Sequence, residues 1–184
     1  LYLNTTGVDN TAICFEALYS TATGSRNTGV GLYALRSTTG NNNTSIGNNA
    51  LFFNNIGQEN IALGNQALYN NTTGIHNIGL GNTVLFSNTT GENNIGFGGL
   101  ALYSNTTGNK NIANGYEALY FNTTGYANIA NGFQALKANT TGYNNVVNGM
   151  QALIANTTGT NNAAYGAYSL PFNTTGIENT GMGA

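Results

Sequence analysis

The chain has 184 residues and 40% apolar content, enough for one modest domain, yet only ten side chains are Asp, Glu, Lys or Arg and the formal net charge is −2. Four basic residues are too few for a nucleic-acid surface, which needs clustered Lys and Arg, and the apolar runs are too short to cross a bilayer as a helix. Eleven Tyr, eight Phe and many Ile and Thr argue against a disordered polar tract, and a single cysteine, Cys14, cannot close an internal disulfide.

The organisation is a tandem repeat. The glycine that ends each Thr-Thr-Gly-like tetrad falls at Gly7, Gly24, Gly40 and Gly57 and continues to Gly176, every step being 17 residues except one of 16. The unit reads N-T-T-G-x-x-N-x-A-x-G-x-x-A-L-aromatic-x, and residues 1–184 form one array of about eleven units. Two fixed glycines per unit, each costing about 1 kcal/mol inside a helix, argue against a helical hairpin.

In chain order, each unit starts with the tetrad glycine. The position two after it holds Asp9, Arg26, Glu59, His76, Lys110 and Glu178 and is expected to face solvent. Next comes an Asn present in all eleven copies, from Asn10 to Asn179. Stacked amides at this position can bond along the array and satisfy turn backbone groups, which accounts for the column without a ligand.

The run Asn60-Ile61-Ala62-Leu63-Gly64 and its equivalents alternate bulky with small residues, predicting a strand. The column of Ile61, Ile78, Ile95, Ile112 and Ile129 never holds charge and is predicted to be core. The last position before the second glycine reads Ile13, Val30, Ile46, Leu63, Leu80 and Phe97, then Asn114, Asn131 and Asn148, then Tyr165 and Met182. Those three asparagines have two readings: an outward polar strip, or polar layers on an axis shared by several chains, where buried Asn fixes register.

The second glycine, replaced once by Cys14, is expected to make a corner. The Ala-Leu-aromatic run predicts a second strand whose Leu column, from Leu1 and Leu18 to Leu170, is core. Glu16 and Glu117 mark a second exposed column, and Arg36 and Lys137 a third. The aromatic column includes Tyr69, Phe86, Tyr103 and Tyr120, which either pack along a ladder or form an adhesive strip for glycans or another filament. Eight of the eleven units close with Asn-Thr-Thr, which matches the N-glycosylation pattern but recurs as a bend.

One unit is then one rung of an all-β solenoid, or β-roll, of about eleven 17-residue rungs. At about 4.7–4.9 Å per rung the rod is roughly 50 Å long. The cleanest copy, Asn122-Thr123-Thr124-Gly125-Tyr126-Ala127-Asn128-Ile129-Ala130-Asn131-Gly132-Phe133-Gln134-Ala135-Leu136, resembles two related groups. One is the N-x-A-x-G β-roll heads of trimeric autotransporter adhesins, whose repeat is shorter. The other is the NTTG-repeat regions of phage tail fibres and bacterial surface proteins that end in an endosialidase-type chaperone domain.

The resemblance implies a homotrimeric, extracellular or virion-borne rod for display and attachment, as a segment of a longer fibre. Its partners would be copies of itself and a cell-surface glycan or protein receptor, with no nucleic acid and no membrane insertion in this segment. An end-to-end filament subunit is the alternative, and an ice-binding solenoid a lesser one. No enzymatic activity is expected. His76 is the only histidine and sits in the exposed column, and Glu16 and Glu117 lie six rungs apart, roughly 28 Å, beyond the about 5–10 Å of a glycosidase pair. No cofactor or metal cluster is expected, because no ligand-spaced His, Cys, Asp or Glu group occurs.

Overall fold

A computed structural model describes residues 1–183. Each rung contributes one three-residue strand: β1 (Thr11–Ile13), β2 (Thr28–Val30), β3 (Thr44–Ile46), β4 (Ile61–Leu63), β5 (Ile78–Leu80), β6 (Ile95–Phe97), β7 (Ile112–Asn114), β8 (Ile129–Asn131), β9 (Val146–Asn148), β10 (Ala163–Tyr165) and β11 (Thr180–Met182). They form one parallel sheet in sequence order, and equivalent repeat positions pair, as in Ile61↔Ile78 and Asn131↔Asn148. The repeat is therefore a rung of a β-solenoid, as its period predicts.

The 16-residue step is absorbed without loss of register. Thr28 still pairs with Thr44, because the missing residue lies in the bend at Ser37-Thr38-Thr39. There the Thr38 hydroxyl replaces the usual tetrad amide: it accepts from the Gly40 N–H at 3.0 Å and from Asn54 Nδ2 at 3.2 Å.

The core corrects the sequence reading in one respect. Although Leu1 at one end is 46% exposed and Leu170 at the other only half-buried, the Leu column is fully buried from Leu18 to Leu153, as predicted. The isoleucines are not: Ile61 is 38% exposed and Ile112 36%. The strand buries its middle residue instead, Ala62, Ala113, Ala130 or Val147. Alternation was right but the faces are inverted, because the interior is thin. Leu side chains reach across it, so a Cβ on Gly79 would already stand 3.5 Å from Leu68 Cδ1 and from Val84 Cγ1. A methyl fits there; an isoleucine would overpack it.

The second predicted strand is also corrected. The Ala-Leu-aromatic run is a turn segment in which φ is +53° at Leu68 and +54° at Gln66, two residues before it. Two left-handed residues in three bend the chain so that consecutive Ala67 and Leu68 both point inward, whereas a strand would send them to opposite faces. Left-handed backbone costs about 1–2 kcal/mol per non-glycine residue. Full burial of a leucine, about 1.5–3 kcal/mol, offsets it.

Backbone groups along the whole rung bond to the neighbouring turns. Leu119 N–H donates to Ala135 O at 3.1 Å, Ile112 N–H to Asn128 O at 2.8 Å, and Thr106 N–H to Thr123 O at 2.9 Å. The rung is thus held by its neighbours on every side, not only through the short strand.

Val84 is the one valine in a column otherwise of Ala and Ser. The strands beside it, β5 and β6, both have glycine in the middle, and a Cβ on Gly96 would collide with Val84 Cγ1. Gly96→Ala is expected to cost about 1–3 kcal/mol, and Val84→Ala should make that same change nearly neutral. A double-mutant cycle on urea unfolding reads the coupling.

Candidate functional site

Two buried amide ladders form the first extended polar feature. The Asn at the strand entrance, Asn27 to Asn162, and the tetrad Asn, Asn54 to Asn156, are almost fully buried. Asn111 Nδ2 donates to Asn94 Oδ1 at 3.2 Å and to Gly125 O at 2.8 Å. Its own Oδ1 accepts the Asn128 N–H at 3.1 Å and Asn128 Nδ2 at 3.1 Å.

The tetrad amide of Asn122 donates to Asn105 Oδ1 at 2.8 Å and to the same Gly125 carbonyl at 3.0 Å. One glycine carbonyl therefore receives both ladders, each filling one lone pair. No buried side-chain nitrogen or oxygen among the described residues lacks a partner. From Asn71 to Asn156 the amides that match the glycosylation pattern are thus engaged in the interior, whereas Asn4 is exposed. The first threonine of the tetrad is engaged too, Thr106 Oγ1 donating to Thr123 O at 3.0 Å, while the second, Thr107, is exposed.

The aromatic column is a stack. Tyr69, Phe86, Tyr103 and Tyr120 follow one another at centroid distances of 5.1–5.2 Å with planes 5–8° apart, and Phe52 extends it at 5.3 Å. All five rings are half-buried. Their faces cover one another, leaving edges and tyrosine hydroxyls for solvent.

Both ends of the stack are capped by cations. The Arg36 guanidinium lies 5.7 Å from the Phe52 centroid and 5.4 Å from Tyr19, and Lys137 Nζ lies 5.8 Å from Tyr120. Such contacts contribute about 0.5–1 kcal/mol where solvent reaches them.

Each cation is paired, which sequence reasoning missed. Arg36 Nε meets Glu16 Oε2 at 2.7 Å and Lys137 Nζ meets Glu117 Oε2 at 2.6 Å. The glutamates, expected to be exposed, are half-buried under these contacts. The signal was present: in both cases the carboxylate precedes the cation by 20 residues, one rung plus three. Beside the first pair lies an open groove of about 360 Å³ lined by Glu16, Tyr33, Arg36, Asn49, Phe52 and Tyr69.

The Lys137 ammonium holds the Glu117 carboxyl below its ordinary value by hydrogen bonding; partial burial opposes this and the Gln134 amide adds to it. A lowered carboxylate value means the pair stabilises the fold above the ordinary carboxylate range. That contribution is lost as pH falls through the lowered value. Lys137→Met is expected to cost at most about 1 kcal/mol at neutral pH and to flatten stability against pH on the acid side, as urea midpoints measured across pH would register.

The exposed column is placed as predicted: Asp9, Arg26, Glu59, His76, Lys110 and Glu178 all face solvent. His76 Nε2 stands 3.2 Å from Glu59 Oε2, both side chains about half exposed. Among the described residues no group of three or more His, Cys, Asp or Glu is placed to hold a metal ion. No helix there is long and apolar enough to cross a membrane.

The outer sheet face is the third feature. Asn114, Asn131 and Asn148 end β7, β8 and β9 on this side, and Asn131 Nδ2 donates to Asn148 Oδ1 at 2.8 Å. Across the corner glycine from them stand Tyr116, Phe133 and Met150, all exposed. In the earlier rungs the order is reversed: Ile46, Leu63 and Leu80 end the strands and Asn48, Asn65 and Asn82 follow the corner. The exchange occurs at Phe97-Gly98-Gly99. No family model, curated protein or solved structure matches this chain.

Proposed function

We propose that this chain is a structural rod, a fibre or adhesin segment that displays and attaches, working as an assembly of identical copies, three in the groups it resembles. The observation behind this reading is the continuity of the buried amide ladders through successive rungs. Such ladders fix one rung upon the next and hold the whole chain as a single elongated body. The first threonine of each tetrad is engaged within the stack, which leaves a single exposed threonine column as all that an ice-binding role could use.

Attachment is assigned to the aromatic column, where the open groove beside Arg36 offers ring edges next to paired charges. Sugars, with apolar ring faces and hydroxyl rims, suit such a mixture. Electron microscopy and sedimentation of the purified chain test the rod: elongated particles roughly 50 Å long are expected, and a compact sphere overturns it. Glycan-array binding tests attachment. Tyr69→Ser with Tyr103→Ser should weaken capture while circular dichroism stays unchanged; undiminished capture removes the aromatic column from the reading.

A further inference from the structure

The outer sheet face is unpartnered in one chain. Its three columns, the first and last residues of each strand and the residue after the corner glycine, contain no Asp, Glu, Lys or Arg. They expose Ile46 (44%), Phe97 (42%), Tyr116 (48%) and Phe133 (45%). A face about 50 Å long and about 13 Å wide offers roughly 650 Å² per copy. Two such faces exceed the roughly 1,000 Å² that a specific interface needs.

We propose that identical copies of the chain meet through this face, parallel and rung for rung, about an axis running along the last-residue column of the strands. The proposal rests on the reading of the chain as a self-associating rod and adds the face, the direction and the register.

The direction follows from the exchange between Asn and apolar residues. In a parallel assembly each axial residue meets its own counterpart: Leu63 meets Leu63, and Asn131 meets Asn131. The columns on the two sides of the axis also meet at equal height, so Ile112 of one copy approaches Tyr116 of the next, and Ile129 approaches Phe133. Rungs with an axial amide thereby gain apolar flanks.

An antiparallel pair centred on Phe97 does the opposite. It sets Asn114 against Leu80, Asn131 against Leu63 and Tyr116 against Asn82, burying amides on hydrocarbon. The axial amides also have capacity to spare. Asn131 Nδ2 has one bond along its own chain and a second hydrogen free for a counterpart.

The partner is a second copy because the match extends over seven successive rungs, β3 to β9. Only a surface with the same rise of about 4.8 Å per rung keeps that register. A partner of different spacing would lose it within a few rungs.

The test uses single cysteines in a Cys14→Gly background, which restores the residue usual in that column. Light-scattering mass of the parent is expected to be a multiple of the chain mass. Mild oxidation should link Leu63→Cys to itself at least about tenfold faster than the exposed control Thr107→Cys, because association raises effective concentration. Leu63→Asp with Leu80→Asp should return the mass to one chain with the circular dichroism unchanged.

A multimer in which Leu63→Cys links no faster than the control overturns the proposal. So does preferential linkage of Leu63→Cys to Asn131→Cys in a mixture, which would mean antiparallel packing. A one-chain mass at every concentration overturns it too, while elongated single particles in that sample would leave the rod itself standing.

Discussion

Asn111→Ala is expected to lower stability by about 3–5 kcal/mol, far more than a polar-to-alanine change on a surface. The substitution deletes the donors to Asn94 Oδ1 and Gly125 O, and the acceptor for the Asn128 N–H and Nδ2. The backbone N–H of Asn128 is left buried with no acceptor, at about 1–3 kcal/mol for such a group. The weakened amides and the cavity add the rest. Asn109→Ala, on the exposed side of the same rung, should stay within about 0.5 kcal/mol. Urea midpoints of the two variants decide it; equal midpoints would mean the ladder contributes nothing.

Gly125→Ala should be comparably severe, at about 3 kcal/mol or more, for a different reason. Its backbone is not in the left-handed region, so conformation is no obstacle. The obstacle is proximity: an added Cβ would collide with the Gly142 carbonyl of the next rung and with Asn122 Oδ1, and would stand 2.8 Å from Asn139 Nδ2. Relief requires neighbouring rungs to separate, which breaks the ladder bonds on either side. Gly99→Ala is the matched control, since its Cβ would meet nothing nearer than the Tyr116 ring at 3.5 Å, an ordinary contact. A Gly125→Ala midpoint equal to that of Gly99→Ala would refute the close-approach argument.

These expectations show which parts of the molecule can be read from one copy of the repeat and which cannot. The rung, its Leu column and its amide columns are legible because they recur and because each residue type has one economical use in a stack. The inward face of the strand is not. Ile61-Ala62-Leu63 alternates with period 2 whichever way it faces, and side-chain size alone favours the larger residues as core. The deciding quantity is the width of the interior, which depends on Leu68 reaching across from a segment in left-handed backbone.

The false second strand has a clue in the sequence. Adjacent Ala and Leu columns that both exclude charge cannot both face inward from a strand. The ion pairs are not legible in any single column, because each spans two. Glu16 and Arg36 belong to different columns in different rungs, and only the stacked geometry brings them together. The polar and apolar exchange across the corner glycine was visible for Asn114, Asn131 and Asn148 alone. Its counterpart at Asn48, Asn65 and Asn82 gains meaning once both columns are known to flank one corner.

The hydrogen bonds between rungs, such as Leu119 N–H to Ala135 O, run along the rod rather than across it. A pull on the two ends therefore loads the rungs in series, and the outermost, held from one side only, peels first. Each peeled rung releases 17 residues, about 58 Å of extended chain at about 3.4 Å per residue, from a layer about 4.8 Å thick. Under tension the rod would yield in even steps and lengthen roughly twelvefold before its covalent backbone drew taut: stiff at rest, and a long-travel shock absorber under load.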